Sequence, residues 1–209
     1  MRPTGTRGEW KSHFWLPVTL DHAVVESAVA AFVEARPDAT ALPRDALHVS
    51  LSRYFVAAAH EIEPLAQRAK LRLRNMPAFV VACSPTLLEL PSEDGLCTFG
   101  ALAIAQGRHE INAMIDDLDD VLATFGKPVY YAQRILHVSV CRWPGRVVDA
   151  VTHAPVDWPQ GVPTSCRATR VLGRAGHVEF EIRLFDGSSG SILVAEGNVA
   201  HGETRQGVA

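Results

Sequence analysis

The chain has 209 residues, 47% of them hydrophobic, enough to bury a core as one domain or as two closely joined lobes. Its 20 basic residues stand against 23 acidic ones, a net charge of −3, which excludes a coat-like nucleic-acid binder but not an enzyme that grips a few nucleotides. No run approaches the roughly 20 apolar residues of a membrane span, the N-terminal stretch lacks an apolar secretory core, and Cys83, Cys97, Cys141 and Cys166 show no CxxC pairing, so an intracellular protein without membrane contact is expected.

In chain order, residues 13–19 read as a strand, with Pro17 favouring its end or a sheet edge. Asp21 stands as an N-cap before an Ala/Val-rich helix to about Arg36, which Pro37 and Asp38 end. A motif strand follows at residues 47–53. Residues 58–75 carry Ile62, Leu65, Ala66, Ala69 and Leu73 at helical spacing. Arg68, Lys70, Arg72 and Arg74 lie on the other side of that helix and read as a solvated face. Residues 78–90 and 96–105 predict two strands joined by the turn-forming 91–95 stretch, hence a hairpin. Residues 108–125 predict a helix striped by Ile111, Ile115, Leu118 and Leu122. Its Asp116, Asp117, Asp119 and Asp120 lack a loop or a His at ligand spacing, so they too read as a solvated face and no metal is expected. A second motif strand at 136–142 is followed by a Pro-rich connector, then a closing hairpin of residues 164–172 and 178–184 around Gly173 to Gly176. Beyond Phe185 the chain turns Gly/Ser-rich, with one short stretch at 192–195 of strand character and a loose tail after it. The order β-α-β, α-β-β-α-β, β-β predicts an α+β fold.

The two motif strands are copies. Leu47-His48-Val49-Ser50-Leu51-Ser52-Arg53 recurs 89 positions later as Leu136-His137-Val138-Ser139-Val140-Cys141-Arg142, with Leu, His, Val, Ser and Arg repeated. At period two, Leu47, Val49 and Leu51, like Leu136, Val138 and Val140, point to a core. His48, Ser50 and Ser52, like His137, Ser139 and Cys141, point the other way. Each copy thus offers an imidazole and a hydroxyl roughly 6.6 Å apart on one polar face. Side by side, the strands would form a pocket of two imidazoles and two hydroxyls, a set suited to acid–base work on a phosphodiester near neutral pH.

The duplicated His-x-Ser resembles the signature of the two-histidine (2H) phosphoesterase superfamily. Within it the chain is most similar to the U6 snRNA phosphodiesterase family. Gly8-Glu9-Trp10 followed by His13, Cys97-Thr98-Phe99 before an apolar strand, and Tyr131 six residues ahead of the second His extend the likeness over about residues 8–184. The resemblance implies two pseudo-symmetric lobes, each an antiparallel-type sheet with outer helices, around a central groove. Residues 1–185 would form this single bilobal domain, the terminal lobe spanning about 8–50 and 145–185 and the central lobe about 53–142, with 186–209 as a tail.

It further implies a metal-independent, cofactor-free 3′-5′ RNA exonuclease that trims 3′-terminal uridines of U6 snRNA-like RNA. Cleavage would pass through a 2′,3′-cyclic phosphate, in a monomeric nuclear protein. His48 and His137 would be base and acid in either order, Ser50 and Ser139 phosphate donors, and Tyr131, with Tyr130 as its competitor, a stacking surface for the terminal base. Trp10 and His13 read as structural, and Cys141 as a bystander lining the groove. The alternatives are opening of a 2′,3′-cyclic phosphate, cleavage of a 2′-5′ linkage, or a catalytically silent RNA-end-binding module. Cys97 stands where the family tends to carry a basic residue, and the tail has no family counterpart.

Overall fold

A computed structural model of the protein describes residues 8–145, 147, 149–176 and 178–186. The expected short strand at 192–195 and the tail lie outside the described residues. In chain order the elements are β1 (Glu9–Pro17), α1 (His22–Ala35), β2 (Thr40–Ala41), β3 (His48–Ser50), β4 (Phe55–Ala58), α2 (Ala59–Leu73), β5 (Phe79–Pro91), β6 (Cys97–Gln106), α3 (Arg108–Thr124), β7 (His137–Pro144), β8 (Val151–Pro155), β9 (Ser165–Ala168), β10 (Arg170–Ala175) and β11 (Val178–Arg183).

The strands form two antiparallel sheets. The first runs β11-β10-β1-β3, with β4 also on β1, and the second runs β2-β7-β6-β5-β8, with β9 also on β5. β1 shows why its sequence makes a half-buried strand. Ser12, Phe14 and Leu16 are buried on one face, while Lys11, His13, Trp15 and Pro17 stand on the other. α1 starts as its cap residue dictates, with Asp21 Oδ1 accepting the Ala23 N–H at 2.8 Å. Its stripe of Val24, Val25, Ala28 and Phe32 packs on β6 and β7 of the second sheet rather than on the strand it follows. There the Phe32 and Trp143 rings lie 5.7 Å apart. α2 packs on β4 and β11 of the first sheet and against α3. One buried cluster joins both sheets and the helices, from Phe14 and Leu16 through Phe32 to Leu118 and Val138.

The charged runs on α2 and α3 turn out to face each other in part. Arg72 pairs with Asp117 at 3.0 Å and also with Asp120, and Arg68 donates to Thr124 Oγ1 at 2.9 Å. Asp116 pairs with Arg134 at 2.6 Å, and Asp119 accepts the Tyr130 N–H at 2.8 Å. These side chains cross-link helices and anchor the segment that leads into β7.

Strand membership departs from the boundaries expected for the lobes. β4 joins the first sheet, whereas β2, β8 and β9 join the second. The closing hairpin also shifts. β9 pairs with β5, β10 runs through Gly173, and the turn into β11 falls at Gly176, whose φ is +61°. Side-chain alternation gives no warning of these edge strands: all five residues of β8 are exposed, and β4 runs straight into α2.

Candidate active site at the seam of the two sheets

Each motif copy ends up in a different sheet, β3 in the first and β7 in the second, and the two strands lie beside each other where the sheets meet. Val49, Val138 and Val140 are buried, as the alternation requires, leaving His48 and Ser50, and His137 and Ser139, half-buried on the opposite face. The two imidazoles are held alike. His48 Nδ1 lies 2.7 Å from the Ala46 carbonyl and His137 Nδ1 lies 2.6 Å from the Ile135 carbonyl, two residues back in each case. A carbonyl only accepts, so Nδ1 carries the hydrogen and Nε2 is left as the reactive nitrogen. Among the described residues neither Nε2 has a hydrogen-bond partner, nor does either serine hydroxyl.

Burial lowers the pKa of both imidazoles below the usual histidine value, opposed by the backbone hydrogen bond in each. His137 is lowered further by repulsion from His48, which places the two rings within electrostatic reach. The free site therefore favours neutral imidazoles, and an anion between them would favour protonation of one. Such a pair can take a proton from one oxygen and give a proton to another.

The surroundings of the two histidines differ. On the first sheet, Trp15 is the register partner of Ser50 and Pro17 of His48. The Trp15 and His13 rings stack at 4.4 Å, and both approach His48, at 6.4 and 6.2 Å. The sequence reading makes His13 structural because it lacks a serine partner, yet it belongs to the same face as His48. Its period-two phase with Trp15 on β1 is the signal that could have found it. On the second sheet the partners of His137 and Ser139 are Ala103 and Ala101, and Leu88, Leu90 and Ile135 pack with them into a small apolar patch.

Two residues expected on the polar face are elsewhere. Cys141 does not line the groove: it is fully buried on the α1 side. A bulge causes this, because Ala101 pairs with Ser139 but Gly100 pairs with Cys141, leaving Val140 as an extra residue that shifts the phase. Gly100 accommodates the result, since a Cβ there would lie 2.6 Å from Cys141 Sγ and 2.8 Å from the Phe32 ring. Ser52 is buried as well, and its Oγ accepts the Phe14 N–H at 2.9 Å. Burial pushes the Cys141 and Cys83 thiols up to about 12, so neither is a ready nucleophile.

The two candidate tyrosines separate clearly. Tyr130 is buried in the core, whereas Tyr131 is 44% exposed. The Arg53 guanidinium stands 4.8 Å from the centre of the Tyr131 ring and pairs with Glu93 at 2.6 Å. Arg53 follows β3 of the first sheet and Glu93 sits in the β5–β6 turn of the second, so this pair spans the seam. Trp10 packs its ring over Gly176, where a side chain would collide. Among the described residues no three His, Cys, Asp or Glu side chains converge as a metal site would require.

Solved structures share this architecture. Usb1 of Kluyveromyces marxianus, solved with uridine monophosphate, is 18% identical, with 83% of this chain and 98% of that one covered at a TM-score of 0.55. LigT of E. coli complexed with 3′-AMP is 16% identical, covering 85% and 96% at a TM-score of 0.55. TT0787 of Thermus thermophilus is 14% identical, covering 83% and 98% at a TM-score of 0.50. At these identities the likeness establishes the fold, which is that of the 2H phosphoesterases. No curated protein matches the chain. The model of one sequence family, described as HVSL, an uncharacterised conserved protein, matches residues 5–156. With its paired His-x-Ser strands set on a 2H phosphoesterase fold, this chain belongs to the HVSL family.

Proposed function

We propose that the protein is a metal-independent phosphodiesterase that trims RNA from its 3′ end by transesterification. The observation that carries this reading is the matched pair of imidazoles, each with Nδ1 committed to its own backbone and Nε2 free, beside two hydroxyls without partners among the described residues. One imidazole takes the proton of the penultimate 2′-OH, which attacks the adjacent phosphorus. The other protonates the departing 5′-oxygen, leaving a 2′,3′-cyclic phosphate. Ser50 and Ser139 donate to the non-bridging oxygens as charge builds there. Repulsion between the two imidazoles is mutual, so the reactive state pairs one neutral imidazole as base with one protonated imidazole as acid.

Tyr131, exposed and backed by Arg53, is suited to stack on the terminal base. Similarity to Usb1 solved with uridine monophosphate supports uridine as that base. The family resemblance extends the reading to U6 snRNA as the natural substrate, the nucleus as the location and a monomer as the working form.

The test uses a uridine-tailed RNA in excess chelator. His48→Ala and His137→Ala should each lower turnover by about 10²–10⁴-fold, and the double variant should be little worse than either. A 2′-deoxy penultimate nucleotide should stop release of the last residue. Efficient trimming of that substrate would mean that water attacks directly, and transesterification would have to be dropped. A sulfur in place of the leaving 5′-oxygen needs no acid, so it should rescue the alanine variant of the imidazole that acts as acid and not that of the base, which assigns the two roles. Rescue of both variants, or of neither, would overturn the division into one base and one acid.

A further inference from the structure

Beside His48 the exposed face of the first sheet continues into a cluster that the proposed chemistry does not use. The His13 ring stacks on Trp15 at 4.4 Å with an interplanar angle of 18°, and the Tyr54 ring lies 4.6 Å from that of His13. Two cations border these rings. Lys11 Nζ stands 3.9 Å from the centre of the Tyr54 ring, and the Arg174 guanidinium 6.0 Å from that of Trp15. Arg174 is the β10 register partner of His13 and is bonded to Glu179 through both Nε and Nη2, which offsets part of its charge. Lys11 forms no ion pair among the described residues.

An ordinary core would bury such rings, yet Tyr54 is 46% exposed and Lys11 is exposed beside it. At His13, burial and then His48, Arg174 and Lys11 hold the imidazole down at about 3, while Glu93 acts on Tyr54 and Asp94 on Lys11 with the opposite sign. His13 is therefore a neutral ring near neutral pH, with no proton to lend to catalysis but a π-face to offer. Aromatic faces interleaved with cations are how proteins hold single-stranded nucleic acid without reading its sequence.

We propose that Tyr54, His13 and Trp15, with Lys11 and Arg174 at their edges, form a second nucleotide subsite on the His48 side of the seam, taking the base and phosphate of a further nucleotide of a single-stranded RNA. The proposal rests on the function inferred above and adds where the strand runs beyond the reacting phosphate. Stacking makes the subsite tolerant of base identity, and Lys11 supplies a phosphate contact.

The test is equilibrium binding of a labelled 2′-fluoro uridine hexamer, which has no attacking hydroxyl. Tyr54→Ala should weaken binding about 5- to 100-fold, the range of one lost stacking contact. Lys11→Met should lower the slope of log affinity against log salt by about 0.7, one phosphate contact to a single strand. Lys70→Met, on the exposed face of α2, should bind as wild type does. Both test residues are exposed, and unchanged thermal melts confirm that folding is intact. Wild-type affinity in both Tyr54→Ala and Lys11→Met would overturn the subsite, as would an equal loss in Lys70→Met or no binding by the wild type. If an all-ribose hexamer is not cleaved while the 2′-fluoro hexamer still binds through Tyr54 and Lys11, the catalytic reading falls and the subsite stands. If the ribose hexamer is cleaved and the variants bind normally, the subsite falls alone.

Discussion

An imidazole that commits one nitrogen to its own backbone keeps the other for a substrate, and its proton affinity then depends on what surrounds that second nitrogen. Both catalytic candidates sit below the ordinary histidine pKa, so the singly protonated pair is most populated on the acid side of 6.5. The expected kcat/KM profile is a bell with both limbs below the usual histidine value, and the kcat bell should shift upward because the bound phosphate anion favours protonation. A kcat/KM bell centred on the alkaline side would contradict the depressed values. Ser50→Ala and Ser139→Ala should each cost about 2–4 kcal/mol of transition-state stabilisation, read from kcat/KM on a dinucleotide. His13 affects stability instead. Its pKa is near 6.5 in the unfolded chain and about 3 in the folded protein. Below 6.5 the unfolded state binds more protons, so the stability present above that pH is lost as pH falls towards the folded value, by up to about 1.4 kcal/mol per pH unit. Urea midpoints of His13→Phe should therefore fall less steeply with acid than those of wild type. Parallel decline would show that the folded protein protonates this ring.

At the scale of elements, the bulge in β7 decides which side chains serve the site and which serve the core. It turns Cys141 under α1, where Gly100 leaves room for the sulfur and for Phe32. Gly100→Ala should destabilise the protein by about 1–3 kcal/mol through overpacking. Adding Cys141→Ala should return part of that loss, because one of the two colliding groups is removed. Equal stability of Gly100→Ala and wild type in urea unfolding would mean that β6 and α1 separate freely. The helices were legible from residues 21–36, 58–75 and 108–125 because the signals used, the Asp21 cap of the first, the apolar stripes of the other two and the stops after the first and third, are local. The bulge was not, since an extra residue in one strand is defined only by the partner strand across from it.

Over the whole molecule, two polar links tie parts that the core alone does not fix. Arg53 and Glu93 join the sheets across the seam at 2.6 Å, each about one-third exposed. Such a pair contributes only about 0–1 kcal/mol, so Arg53→Ala should barely move the melting temperature. It should raise KM, because Tyr131 loses the cation that backs its ring. A normal KM would remove Arg53 and Tyr131 from substrate binding. The second link is Glu89, 3% exposed, which meets His153 of β8 at 3.0 Å and Arg36 at the end of α1 at 3.5 Å. His153→Leu leaves that buried carboxylate short of a partner and should cost about 1–3 kcal/mol, measured by urea unfolding. No loss would mean that Arg36 alone satisfies Glu89.

What the sequence determined by itself was whatever repeats within a few residues. The period-two alternation around His48 and His137 set the buried and polar faces of both motif strands, and helical stripes set α1, α2 and α3, with a side-chain N-cap at α1 alone. These signals are local because a strand or helix presents its faces by its own geometry, whatever it packs against. Only the tertiary structure decided which sheet took β2, β4, β8 and β9, since an edge strand is chosen by backbone hydrogen bonds that leave no mark on side-chain pattern. It also decided that Tyr131 rather than Tyr130 stays exposed, and that Cys141 and Ser52 leave the polar face. His13 came beside His48 in the same way. The antiparallel pairing of β1 with β3 aligned two segments some 30 residues apart in sequence, a match that neither segment encodes alone.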